Sequence, residues 1–182
     1  MKQVKGSVLL PWVKAIKANK SGVYDSLLTQ ESKEVISKLI LTSSWYNFDI
    51  YKNCFNSIAQ AEAKGDRNLC REWGRAYSES IMKSVYKSSI IKTDPKSIMD
   101  RFKLVMKSMF NFGQLKIEHV ADNEMIISIE DFDPDFELLY YIIIGWLEKY
   151  IELCLEKPVQ ATFIEKSWEG HPETRMKLTW SA

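Results

Sequence analysis

The side chains with most chemical potential are few and scattered. His119 and His171 are the only histidines of the 182 residues, and Cys54, Cys70 and Cys154 the only cysteines. A metal site needs several such donors at close spacing, and the chain has neither a CxxC nor an HExxH pattern. Asp131, Asp133 and Asp135 alternate as in a calcium loop. Phe136 stands where that loop needs Gly, however, and Ile142 where it needs a bidentate Glu, so helix capping explains the run better. Neither His belongs to a nucleophile motif such as GxSxG, and seven scattered Gly residues make no phosphate cradle before a helix. These residues imply no catalytic group, no metal and no cofactor.

Two patterns remain. Arg67, Arg71 and Arg75, each four apart, form a basic stripe on one helix face. Guanidinium forks could grip a carboxylate or phosphate there, but a solvated face is the expectation. The aromatic residues are more suggestive. Trp45, Tyr46, Trp73, Tyr77, Phe102, Met106, Tyr141 and Trp146 are the ligand-binding candidates, with Tyr140, Met99 and Met109 beside them, because aromatic and Met side chains line adaptable apolar pockets. The competing reading makes the same stripes ordinary core.

The elements that must position these residues follow from periodicity and punctuation. Ser7 to Lys20 reads as a helix capped by Ser7, and a short helix follows around Lys33 to Leu41. Asp49 caps a third, to Lys64, and Gly65-Asp66 separates it from a fourth running to about Ser88, with Leu69, Trp73, Tyr77, Ile81 and Val85 on its buried side. Asp94 and Pro95 open a fifth, with Ile98, Phe102, Val105, Met109 and Phe112 on its apolar face. Alternation at Leu115, Ile117, His119 and at Met125, Ile127, Ile129 predicts a β-hairpin around Asp122-Asn123. Asp133 and Pro134 then start a long apolar helix to about Glu156. Val159 to Ser167 and Arg175 to Trp180 form a second hairpin. A run of helices followed by strand, strand, helix, strand, strand is α+β, with an N-terminal helical layer packed on a four-stranded antiparallel sheet. Residues 1–182 are read as one domain.

Composition supports a folded chain: 46% hydrophobic and 27% charged residues exclude a disordered tail. A formal charge of +1 provides no overall field for nucleic acid or membrane. Charge is nonetheless uneven. Glu118 to Lys157 holds eleven acidic residues against Lys149 and Lys157, so this segment should meet the basic remainder, within the fold or across a dimer, unless the two are separately solvated faces. An odd number of distant cysteines in apolar contexts, with no signal-peptide run before Pro11, suits a reducing cytoplasm. Phe136 to Leu155 contains Glu137, Glu148, Lys149 and Glu152, so it reads as a buried helix and not a membrane span.

Several phrases resemble a bacterial family of uncharacterised function abundant in myxobacteria. They are Lys5-Gly6-Ser7, Ser44-Trp45-Tyr46, Arg71-Glu72-Trp73-Gly74, Phe112-Gly113, Gly145, Glu169-Gly170 and Lys177-Leu178-Thr179-Trp180, in order along almost the whole chain. That family is similar in layout to a superfamily of ligand-binding domains: haem nitric-oxide sensors, vinyl-reductase-type domains and vesicle-tethering TRAPP subunits. The resemblance implies helices over an antiparallel sheet, frequent dimerisation and a hydrophobic pocket between the layers. Vinyl-reductase-type members commonly carry cysteines around the last hairpin, whereas Ser167 to Thr174 has none, which argues against metal or thiol chemistry. A haem-ligating His on a suitable helix is also absent, so haem binding does not carry over.

The resulting expectation is a non-catalytic small-molecule-binding or sensory domain that holds a hydrophobic molecule between helices and sheet. It would signal through a homodimer or protein partner. A scaffolding dimer with a fully packed core is the first alternative, and an enzyme using Arg75 or Tyr77 with Glu72 the second.

Overall fold

The computed structural model describes residues 1–84, 87, 90 and 94–181, apart from the side chain of His119. The expected position of Val85 and the end of the fourth helix at Ser88 lie outside the described residues. The architecture is α+β, and the chain forms two compact units.

The first unit comprises Met1–Asp66 and Met106–Phe112. Strand β1 (Gln3–Lys5) pairs antiparallel with β2 (Trp45–Asn47), aligning Lys5 with Trp45. Helix α1 (Gly6–Ala18) follows β1 without a break, and its first amides are satisfied by chain and not by a side-chain cap: Gly6 and Ser7 donate to the carbonyls of Ser44 and Thr42. The expected Ser7 cap is therefore replaced by backbone pairing. Gly6 is required here, since a Cβ would overlap the Leu41 carbonyl oxygen and lie 2.9 Å from a ring carbon of Tyr46. Helix α2 (Gln30–Ser37) starts earlier than its apolar pattern suggests because Thr29 accepts a bond from the Ser32 amide. Asn47, and not Asp49, caps α3 (Phe48–Ile58), which continues through a π-helical turn at Ala59–Ala63 before Lys64 and Gly65 end it with positive φ. Val4, Leu9, Phe48, Tyr51, Cys54, Phe55 and Phe110 form the core, with the Phe48 and Phe112 rings 4.7 Å apart.

The second unit comprises Arg67–Val105 and Gly113–Ala182. Its sheet has the order β3-β4-β6-β5, antiparallel throughout: β3 (Gln114–Val120), β4 (Glu124–Glu130), β5 (Val159–Glu165) and β6 (Thr174–Trp180). Both expected hairpins are present. Alternation buries Met176, Leu178 and Trp180 on one face of β6 and leaves Arg175, Lys177 and Thr179 on the other. Helix α5 (Pro95–Met109) begins as expected, with Asp94 Oδ1 accepting the Ser97 amide at 2.9 Å, and Ile98, Phe102, Val105 and Met109 are buried. Helix α6 (Glu137–Leu155) starts three residues after Pro134. Asp133 instead accepts the Asp135 amide in a tight turn.

Helix α4 (Arg67–Met82) differs from expectation by a rotation. Its buried positions are Cys70, Gly74, Ser78, Ile81 and Met82, whereas Leu69 is exposed and Trp73 and Tyr77 are half-buried. The cause is backbone proximity to α6. A Cβ on Gly74 would overlap the Ile142 carbonyl oxygen, and one on Gly145 the Arg71 carbonyl oxygen. Small residues face α6 because larger ones would hold the helices apart. No described helix is long and apolar enough to cross a membrane.

Candidate functional site

The arginine stripe is paired along its length, because α6 supplies its carboxylates, with Arg67 exposed and Arg71 and Arg75 half-buried. Arg67 pairs with Glu137 at 2.8 Å near the start of both helices. Arg71 grips Glu148 with both fork positions, Nε at 2.9 Å, and gives a further bond from Nη2 to the Ala161 carbonyl. Arg75 reaches Glu152 at 2.7 Å and Glu148 at 3.4 Å. The Ala161 amide donates to Glu148 Oε1 at 2.8 Å, so one buried carboxylate joins α4, α6 and β5. Burial lowers the Arg75 pKa, but its bond to Glu152 and the charges of Glu152, Glu148 and Glu72 outweigh that and raise it. These groups are thus paired with each other.

Several carboxylates of the acidic segment therefore meet basic partners inside the second unit. Arg175 continues the pattern on the sheet, bonding Glu118 from Nε at 3.0 Å and Glu165 from Nη1 at 2.8 Å.

The eight candidate ligand residues are divided between the two units. In the first unit, Trp45 lies on the β2 edge under the Lys5 ammonium, 4.1 Å from the ring centre, and the Tyr46 hydroxyl accepts the Leu41 amide. Met106 belongs to the same unit and is half-buried. In the second unit, Phe102 and Trp146 are buried with ring centres 5.0 Å apart, and both touch Tyr150. Trp73 and Tyr77 stand half-buried on α4. Tyr141 joins a different cluster with Phe163 and Trp168, at 5.1 and 6.1 Å. Sequence periodicity marks apolar faces, and those faces here meet one another.

A groove of about 260 Å³ does open in the second unit, between α5 and the edge strand β3. Lys96, Asp100, Lys103, Ile117, Glu118 and Val120 line it, none of them a candidate from sequence. Asp100 binds both lysines and Glu118 is held by Arg175, so its charges are already balanced.

No family model and no curated protein matches the chain. Solved structures do. An H-NOX protein from S. oneidensis in the Fe(II)NO ligation state is similar with a TM-score of 0.70 at 11% identity, over 98% of this chain and 99% of that one. The unliganded Fe(II) H-NOX protein from K. algicida gives 0.68 at 12%, over 98% and 97%. An oxygen-binding H-NOX domain related to soluble guanylate cyclases gives 0.64 at 15%, over 98% and 95%. The chain has the fold of an H-NOX domain. The similarity to haem nitric-oxide sensors suggested by sequence layout is thus shown at the level of fold.

The residues present do not fit a haem. Haem iron is held by His, Cys thiolate, Met or Tyr. No helix of this chain carries a His: His119 lies on β3 and His171 in an exposed turn. Burial pushes the Cys54 thiol up to about 12 and raises the Tyr140 and Tyr150 hydroxyls, so each favours its neutral form where it lies. Cys70 and Cys154 are buried too, and Met82 and Met99 are sealed in the core. No group of three or more His, Cys, Asp or Glu among the described residues could hold a metal.

Proposed function

We propose that residues 1–182 act as one non-catalytic sensory domain that uses the H-NOX fold without haem and responds to a hydrophobic small molecule. The observation that carries this reading is the conjunction of an H-NOX fold over nearly the whole chain with a donor set unsuited to iron. The ligand would act in the second unit, at the ring cluster of Phe102 and Trp146, with Trp73, Tyr77 and Tyr141 as further contacts of that unit. Occupancy would be passed to a protein partner or a second copy of the chain in the cytoplasm. Native mass spectrometry compared with the denatured mass tests this. A stoichiometric organic ligand of low mass supports it. A bare chain that also takes up no apolar dye on titration contradicts it.

A second reading is a scaffolding domain whose aromatic stripes are all core. It is favoured by the ring-to-ring packing of Phe102, Trp146 and Tyr150, which fills the volume a ligand would need. The same titration separates the two.

A further inference from the structure

The first unit carries an exposed apolar segment with lysines on either side of it in sequence. The segment 38–45 leaves α2 and runs along α1, held by backbone bonds from Gly6 and Ser7 to Ser44 and Thr42 at one end, and by Lys17 Nζ on the Lys38 carbonyl at 3.3 Å at the other. It presents Leu39 at 80% exposure, Leu41 at 52% and Trp45 at 38%, while Ile40 between the two leucines is buried. Isolated exposed leucines are ordinary, but two leucines and a tryptophan within seven residues of one segment are not a scattered set.

The two stretches of chain that build this edge carry charge of one sign. Residues 1–24 contain Lys2, Lys5, Lys14, Lys17 and Lys20 with no Asp or Glu, and residues 35–48 contain Lys38 with none. Lys14 sits one turn before Lys17 on α1. Lys5 and Lys17 each donate a hydrogen bond to a backbone carbonyl of the segment, Ser43 at 2.9 Å and Lys38 at 3.3 Å, which fixes their charges beside the apolar side chains without neutralising them. The carboxylates that flank the segment in sequence are Glu34, which accepts from the Gln30 amide on its own helix, and Asp49, in the first turn of α3.

We infer that this edge docks on an anionic lipid surface, with Leu39 and Leu41 entering the headgroup–acyl boundary, Trp45 at its rim and Lys5, Lys14, Lys17 and Lys38 on the phosphates. The charge balance selects an anionic occupant, and the shape selects lipid over protein. A side chain four-fifths exposed protrudes, so a protein partner would need a matching hollow, whereas a bilayer yields to it. Tryptophan at the interface with lysines above it is the arrangement that peripheral membrane binding favours.

Sedimentation of the full chain with vesicles tests this, using phosphatidylcholine alone and phosphatidylcholine mixed with phosphatidylglycerol. The chain should sediment with the mixed vesicles only, and high salt should release it. Both the Leu39→Ser/Leu41→Ser and the Lys14→Glu/Lys17→Glu variants should lose affinity by roughly tenfold or more, because each lysine near such a surface is worth on the order of one decade or somewhat less. These side chains are exposed, so the variants should keep the parent circular dichroism spectrum. Absence of sedimentation with the mixed vesicles overturns the proposal and leaves an acidic protein surface as the better occupant. Undiminished binding by the leucine variant overturns it as well.

Discussion

Gly74 of α4 lies against the backbone of Ile142 of α6, so that a Cβ at this glycine would sit 2.9 Å from the Ile142 carbonyl carbon and closer still to its oxygen. Gly145 repeats the relationship in the opposite direction against Arg71. Two helices that touch backbone to backbone place their flanking side chains within short reach. That proximity is why Arg71 and Arg75 can hold Glu148 and Glu152 with direct bonds. The glycines set the distance and the ion pairs fix the register.

Gly145→Ala and Gly74→Ala should each destabilise the fold by about 1–3 kcal/mol or more, since the colliding atoms belong to backbone and cannot swing aside. Urea unfolding of the purified variants measures it. A cost below a few tenths would mean that the helices separate freely.

Glu148→Ala should cost about 3–5 kcal/mol, because it strips a buried acceptor from Arg71, Arg75 and the Ala161 amide together. Arg71→Ala in the same background should cost far less than it does alone, and a double-mutant cycle reads the difference. Additive losses would show that the two residues act separately.

Alkaline conditions should unfold the chain earlier than its charge alone suggests. Burial pushes Cys54 from 9.0 to about 12, and burial with the Glu62 bond and charge pushes Tyr24 from 10.0 to about 12. Both groups favour the neutral form in the folded state. Their contribution is complete below about pH 9 and is lost as pH rises towards about 12, where the unfolded chain has already released the protons. Denaturant midpoints at stepped pH follow this, and Cys54→Ala should flatten the portion of the slope due to the thiol.

Phe102→Ala should cost about 3–5 kcal/mol by removing a buried ring between Trp146 and Tyr150. Retention of full stability would place the ring in a space that collapses or fills with ligand.

How far the sequence discloses this structure depends on the range of the signal. Asp94-Pro95 and the alternation on either side of Asp122-Asn123 are local chemistry, and the helix and hairpin they announce are present. The buried face of α4 is not readable from α4 alone. The spacing of Leu69, Trp73 and Tyr77 points to one face, while Gly74 with Gly145, some seventy residues away, turns the helix to another. The pairing of β1 with β2 is three residues long, too short for a periodic signal. Glu148 is visible in the sequence as a charge inside an apolar helix, yet its role requires knowing that Arg71 and Ala161 approach it. The candidate aromatic residues are legible as apolar and not as neighbours. Within the second unit, Tyr141 packs against Phe163 while Phe102 packs against Trp146.

The proposal that this H-NOX fold operates without haem is tested by an absorbance titration of the purified chain with haemin, in oxidised and reduced states, after expression with added haem precursor. A haem-free sensor should show no stoichiometric pigment on purification, no sharp ligand-field or Soret change at one equivalent, and no spectral response to nitric oxide or carbon monoxide. A one-to-one complex with the spectrum of an axially ligated iron that shifts on adding nitric oxide would contradict it.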